Sequence, residues 1–353
     1  MNNSDGLSVL ICSHNGAKLI GETLRHLVQQ EFTRPIDWEV VLVDNASTDD
    51  LVSVAQANWT IEVPLKIVYE PRKGVAHARF TGIQNCKYEF ISFIDDDNWV
   101  PQNWVEGAYD SILNKPDACA IGSRSKPVFG GPVPHWFSTY MQSYAVGQQY
   151  PTSGRIEKLD GLVWGAGMIM RKQAGDQLIE AGFKPLLVSH KNESRMAREE
   201  SELLLLMKMC GWEIYNENQL VIEHYMTPNR LKWSYFLNLK ENHGVAKVYL
   251  DLYRDLLGWV RLGRPIEKVN WWGLAGSTLS KMLKDPAALL ASLVGNTFEG
   301  NYRVALYHFY LGELRERLRL RKQLESIQSK LIQDIQRYPL AWKDGHSRMV
   351  SEI

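Results

Sequence analysis

Three adjacent carboxylates, Asp95, Asp96 and Asp97, follow directly on the apolar run Phe90–Ile94. Like charges so close repel one another unless a cation neutralises them. Hard carboxylate oxygens suit Mg2+ or Mn2+, ions that take few protein oxygens and complete their shell with water and substrate phosphate. The chemistry implied is the holding of a metal–diphosphate. Two other apolar runs end in a similar way: Leu7–Cys12 leads into Ser13, His14 and Asn15, and Val40–Val43 into Asp44 and Asn45. Polar turn residues at one strand end are ordinary. Three strands delivering them to one edge point to a ligand, because open parallel sheets bind beyond the carboxyl ends of their strands. A second acidic group, Glu199-Glu200-Ser201-Glu202, opens an apolar stretch running to Cys210. The helix dipole favours carboxylates in a first turn.

Positioning these groups requires a sheet. Over the first ~120 residues short apolar runs alternate with helical periodicity, the pattern of βαβ units on a parallel sheet. Strands are expected at Leu7–Cys12, Val40–Val43, Leu65–Tyr69, Phe90–Ile94 and Ala118–Ser123. Helices are expected after Gly16, at Gly74–Asn85 and around Asn103–Leu113. From Lys126 to about Asp160 periodicity fades among Pro, Gly and aromatics, and such a stretch reads as a functional loop. A strand at Gly165–Arg171, a helix at Ala197–Cys210 and a strand at Leu220–Glu223, ending at His224, follow. Beyond Asn229 the chain reads as helical, closing with a long exposed helix from Glu313 to about Arg337. The expected division is a catalytic domain over 1–228, with a nucleotide-binding half at 1–123 and an acceptor half at 124–228, then a helical region over 229–353.

The 353 residues are 45% hydrophobic, with 40 basic residues against 40 acidic ones, so no global field argues for nucleic acid. Cys12, Cys86, Cys119 and Cys210 form no CxxC pair, which disfavours a disulfide framework or a cysteine zinc site. No signal peptide and no spanning run are expected; the apolar stretch from Trp271 to Phe298 is interrupted by Lys281, Lys284 and Asp285. The expected location is cytoplasmic. CSHNGAK stands after the first strand in place of GxGxxG, and no GxxxxGK[ST] occurs, so dinucleotide-binding and P-loop enzymes are disfavoured.

In combination, SVLICSHNGAKLIGETLRHLVQQ, EVVLVDNASTDD, EPRKGVAHARFTGIQNCKYEFISFIDDDNWVP, GAGMIM, EESELLLLMKMCGWEIYNENQL and VIEHY resemble the family 2 glycosyltransferases, from about Leu7 to Tyr253. The resemblance implies an α/β GT-A fold, a mostly parallel sheet flanked by helices, here with a helical C-terminal extension. It implies transfer of a sugar from a nucleotide-diphosphate sugar, a UDP-sugar favoured, to a saccharide or lipid-linked acceptor with inversion, assisted by Mg2+ or Mn2+. Asp44 then contacts the base, with Ser13 and Asn15 bordering the nucleoside and Gly74 and Arg79 near the nucleotide. Asp95, Asp96 and Asp97 form the DxD region, Asp97 ahead of Asp95 as metal ligand, and His224 approaches the metal or diphosphate. Glu200 takes the general-base position usually held by Asp, with Glu199 the alternative, and Arg198 stands where Gly is usual. Two other readings stay open: a nucleotidyltransferase, and a non-catalytic binding module on a decayed fold.

The C-terminal region suggests peripheral contact with the inner face of a membrane, or self-association. Trp271 and Trp272 precede the short apolar segment Ala287–Val294, and five basic residues fall within Arg315–Lys322. These features suit an interfacial helix and anionic lipid. Leu324, Ile327, Leu331 and Ile335 recur at a spacing that suits helix pairing. The aromatics Trp136, Phe137, Tyr140, Tyr144 and Trp164 suit either a sugar cleft or a core.

Overall fold

The computed structural model describes residues 4–187, 198–286, 291 and 299–341. Strand β1 (Ser4–Ser13) leads through helix α1 (Ala17–Val28) to β2 (Trp38–Asp44). The chain continues through α2 (Leu51–Asn58), β3 (Leu65–Tyr69), α3 (Val75–Asn85), β4 (Tyr88–Asp95), the short β5 (Asn98–Trp99) and α4 (Trp104–Leu113) to β6 (Ala118–Phe129). Then come α5 (Phe137–Tyr140), β7 (Gly154–Arg155), β8 (Ile169–Arg171), α6 (Lys172–Glu180), α7 (Glu199–Met209) and β9 (Glu213–Met226). Four helices follow: α8 (Trp233–Leu262), α9 (Trp271–Leu283), α10 (Tyr302–Arg319) and α11 (Leu324–Ile335).

One sheet has the order β3-β2-β1-β4-β8-β6-β9-β5, with β7 added to β9. Its first four strands are parallel, as their continuous apolar runs imply. Alternate residues of each run serve opposite layers. Leu10, Val41, Val43, Ile91 and Phe93 pack on one face, and Leu7, Val9, Ile11, Val40, Leu42, Phe90 and Ile94 on the other. In register, Cys12 stands opposite Asp95, and Ser13 opposite Asp44, so the polar strand ends converge by pairing.

The expected strands are present, with several differences. Three-residue β8, expected to begin at Gly165, inserts antiparallel between β4 and β6. The stretch after Lys126 is not irregular from its start, because β6 continues to Phe129 beside β9. Trp136, Phe137, Tyr140 and Tyr144 are buried with Trp233 and Phe236 as an aromatic core.

The expected long exposed helix from Glu313 is two helices, α10 and α11, broken between Arg319 and Leu324 and packed inward. Leu324, Leu331 and Ile335 lie in the main core, so the stripe read as a pairing seam is satisfied within the chain. The basic run is largely compensated: Arg315 meets Glu241, Arg317 meets Glu313 and Asp251, and Arg319 meets Glu316. Of Ala287–Val294 only Ala291 lies within the described residues, and it is buried. Trp271 and Trp272 open α9 with stacked rings, Trp272 72% exposed. Helices α8 and α10 touch through glycine: a Cβ on Gly244 would lie 2.0 Å from the Phe309 carbonyl oxygen, and one on Gly312 2.0 Å from that of Glu241. Among the described residues no helix is long and apolar enough to cross a membrane.

Candidate active site

The edge where β1, β2 and β4 end is tied together by the residues singled out from sequence. Asn15, in a left-handed conformation at φ 56°, accepts the Thr48 N–H on Oδ1 at 2.8 Å and donates its own N–H to Ser47 Oγ. Asp44 Oδ1 accepts the Ser47 N–H at 2.9 Å. Asn45, which sequence reasoning left without a role, donates to the carbonyls of Glu70 and Arg72 and accepts the Gly74 N–H at 2.7 Å. It thereby fixes the loop that delivers Gly74, at φ 127°, to the start of α3. The Ser13 hydroxyl donates to Asp96 Oδ2 at 2.5 Å. That pair depends on Gly16, where a Cβ would fall 2.1 Å from Ser13 Oγ and 2.2 Å from Asp96 Oδ2. Burial, reinforced by Asp97, pushes the Asp96 carboxyl up to about 7, although the Ser13 bond opposes the shift.

Asp97 is buried, at 2% exposure, and meets a residue that sequence reasoning missed. Arg230 Nη2 lies 2.8 Å from Asp97 Oδ2, while Asn98 donates to Oδ1 and His224 Nε2 stands 3.5 Å from it. Arg230 Nη1 also donates to His224 Nε2 at 2.8 Å, which leaves the ring proton on Nδ1, a buried atom without a partner among the described residues. Among those residues no three His, Cys, Asp or Glu side chains form a preformed metal cage. Asp95 and Asp97 nonetheless offer hard oxygen donors suited to a divalent cation that takes most of its shell from diphosphate and water, while His224 would have to release Arg230 from Nε2 to join them. Arg230 supplies positive charge at the same place. It follows β9 in the turn before α8, and no spacing rule tied it to Asp97 in the sequence.

Helix α7 lines the same cleft as Asp95, His224 and Arg230. Arg79, from α3, reaches across to Glu199 Oε1 at 3.1 Å and Glu200 Oε2 at 3.3 Å. Gly165 makes room for this guanidinium, since a Cβ there would sit 2.5 Å from Arg79 Nη2. Burial pushes the Glu199 carboxyl up to about 7 against the pull of Arg79. Glu202 points away, buried, and accepts the Tyr253 hydroxyl and the N–H groups of Leu186 and Leu187. Its part is to hold α7 against α8 and the preceding loop. Burial also pushes the Cys12 thiol up to about 12, so no thiolate nucleophile is present there. Asp95, His224 and Arg230 line one cleft of about 820 Å³ together with Arg79, Glu199 and Glu200. Trp164 also reaches it. Ser13, Asn15, Asp44 and Gly74, expected at the nucleotide, lie outside that lining, on the β1–β2 side.

Residues 8–177 match the family described as Glycosyl transferase family 2. Glycosyltransferase GlyG of Streptococcus pneumoniae serotype 4 is 28% identical over 121 residues, 34% of this chain and 39% of that protein. Chondroitin synthase of Pasteurella multocida is 31% identical over 128 residues, 35% of this chain but 13% of the synthase. The chain thus matches less than half the length of either. A glucosyl-dolichyl phosphate glucuronosyltransferase of Haloferax volcanii is 19% identical over 249 residues, 70% of this chain and 77% of that one. Among solved structures, the mannosyltransferase PcManGT from Pyrobaculum calidifontis, in complex with GDP-Man and Mn2+, aligns with a TM-score of 0.50 at 18% identity, covering 93% of this chain and 90% of that one. That likeness concerns the fold, an α/β GT-A architecture. Over residues 8–177 the chain thus matches the family 2 glycosyltransferases, on an α/β GT-A fold.

Proposed function

We propose that the protein moves a sugar from a nucleotide-diphosphate sugar, a UDP-sugar by preference, to an acceptor hydroxyl with inversion. The observation that carries this reading is that Asp95, His224 and Arg230 line one cleft together with Glu199 and Glu200. Asp44, Ser13 and Asn15 border the base and ribose, and Gly74 leaves room beside them. Asp95 and Asp97, with His224, hold Mg2+ or Mn2+. When bound, that ion offsets the charge that develops on the leaving diphosphate. Arg230 stands beside it as a fixed donor to the same oxygens.

From α7 Glu200 takes the proton of the acceptor hydroxyl as its oxygen bonds the anomeric carbon and the bond to the diphosphate breaks. A base placed this way contributes about 10²–10⁴-fold. Arg79 holds Glu199 and Glu200 in place, and Glu199, whose carboxyl burial pushes up to about 7, is the alternative base. Residues 1–123 supply the donor side and 124–228 most of the acceptor side. A donor-hydrolysis assay over a panel of nucleotide sugars, with and without Mn2+, tests the reading. Metal-dependent release of one nucleoside diphosphate supports it, and no release from any donor refutes it.

A second proposal concerns placement. Trp272, Leu279 and Leu283 are 72%, 45% and 64% exposed along one side of α9, a helix without an acidic residue and with Lys281 in its last turn. An exposed apolar face of this kind suits a peripheral site on a membrane surface, consistent with a cytoplasmic enzyme acting at the inner face on a lipid-linked acceptor.

A further inference from the structure

Most cations in the cleft already have anionic partners. Arg79 holds Glu199 and Glu200, Arg230 holds Asp97, and Lys158 and Arg254 flank Asp160 at 3.2 and 3.5 Å. Arg198 is different. It lines the cleft immediately before the two glutamates, and its side chain makes no hydrogen bond or salt bridge with any described residue. Facing the same cleft from α8 is His243, 8% exposed and likewise without a hydrogen-bond partner among the described residues. Asn238, five residues earlier on α8, lines the cleft too, and no described residue engages its amide.

These groups share one field. Burial first, then Arg198 and Lys240, hold His243 well below its usual range. Lys240 lies over the Phe309 ring at 5.5 Å and adds positive charge at that end of the cleft. Arg79 engages both Glu199 and Glu200, and Glu200 attracts Arg198 as well. The backbone gives an independent reason to look for a role. Arg198 sits at φ 72° and ψ 28°, a left-handed conformation that glycine adopts without cost and arginine does not. A long cation at that position does nothing for the turn itself.

We propose that the acceptor carries an anionic group, a carboxylate or a phosphate, close to its reacting hydroxyl, and that Arg198, His243 and Asn238 bind it. Guanidinium and neutral imidazole N–H groups are donors suited to carboxylate and phosphate oxygens. Arg198 adjoins Glu199 and Glu200, so an anion held there presents its neighbouring hydroxyl to the base. The inference rests on reading this cleft as a transferase site, and the donor's diphosphate has its own cation, Arg230, against Asp97.

The test uses the full chain and three variants: Arg198→Gly, which relieves the left-handed strain and so should fold at least as well as the parent, Arg198→Lys, which keeps the charge, and His243→Leu. Binding of inorganic phosphate, glucuronate and, as neutral control, glucose is measured by calorimetry at constant ionic strength. The expected result is that one or both anions bind. Affinity should fall about tenfold in Arg198→Gly and in His243→Leu, as for loss of one charge-assisted bond, recover in Arg198→Lys, and show no parallel for glucose. Phosphate alone responding identifies a phosphorylated acceptor, and glucuronate alone a uronic acid. Equal affinities in wild type and Arg198→Gly, or binding of neither anion at tens of millimolar, would overturn the proposal. Donor hydrolysis without acceptor is measured on the same samples. Its absence refutes the transferase reading while leaving the anion measurement interpretable.

Discussion

Arg230 gives the sharpest handle on the metal side of the cleft. Arg230→Ala removes a guanidinium 2.8 Å from a carboxylate that is 2% exposed. Asn98 remains as a donor to Asp97 Oδ1, and His224 Nε2 still stands 3.5 Å from that oxygen. Taking one partner from a buried pair costs about 3–5 kcal/mol. At about 2.1 cal/mol/K per residue, the 353-residue chain unfolds with about 0.74 kcal/mol/K, so Tm should fall by about 4–7 °C. If Asp97 is a metal ligand, Mn2+ supplies the positive charge that the variant lacks. Its Tm should then rise more on adding MnCl2 than that of wild type, and the difference should vanish with EDTA. Scanning calorimetry on both proteins, in EDTA and in MnCl2, measures this. An unchanged Tm in EDTA would show that the pair is not structurally significant. An equal Mn2+ effect in both proteins would place the metal away from Asp97.

Other expectations concern α7 and the supports. Glu200→Gln should lower turnover by about two orders of magnitude or more while sparing donor affinity; if Glu199→Gln does so instead, the base is Glu199. Gly16→Ala must displace Ser13 or Asp96, so urea unfolding should show a loss of about 1–3 kcal/mol and nucleotide titration a weaker site. Burial pushes the Glu202 carboxyl from 4.5 up to about 7. A raised folded pKa stabilises fully below the unfolded value and ceases to do so as pH rises through the folded one. Glu202 therefore contributes a fall in Tm between about pH 5 and 7, and Glu202→Gln should flatten it; an identical slope in both proteins would remove Glu202 as its source. In vesicle flotation at low salt, wild type should rise with anionic liposomes, and Trp272→Ala combined with Leu283→Ala should stay below; retention of wild type in the soluble fraction rules out the α9 face as a membrane contact.

The donor edge was legible because buried parallel strands write themselves as unbroken apolar runs, and the polar residue ending each run marks where the sheet stops. The three runs ending at Ser13, Asp44 and Asp95 needed only parallel pairing to meet. Arg230 was not legible, since its contact with Asp97 depends on how the turn after β9 is aimed, which no local periodicity encodes. Three-residue β8 was too short to reveal its antiparallel direction. The compensation of the Arg315–Lys322 run was partly visible, because Glu313 and Arg317 stand four residues apart on one helix face. The break between α10 and α11 carries no Gly or Pro to announce it. The aromatics after Gly130 were open to two readings, and their burial with Trp233 and Phe236 makes them core.

The long helix α8 faces two ways at one turn. His243 looks into the cleft, while its sequence neighbour Gly244 is pressed against the backbone of α10. Substitutions at 238, 242 or 243 alter what the cleft meets, and none of these positions touches the nucleotide edge some strands away. Residue 244, by contrast, admits no side chain at all without prising two helices apart. Divergence in what the cleft meets therefore has an open route along one flank of α8, beside a neighbouring position frozen by helix contact. Relatives that share the nucleotide edge can be expected to differ first at the cleft-facing positions of this helix, with glycine held at 244 and 312.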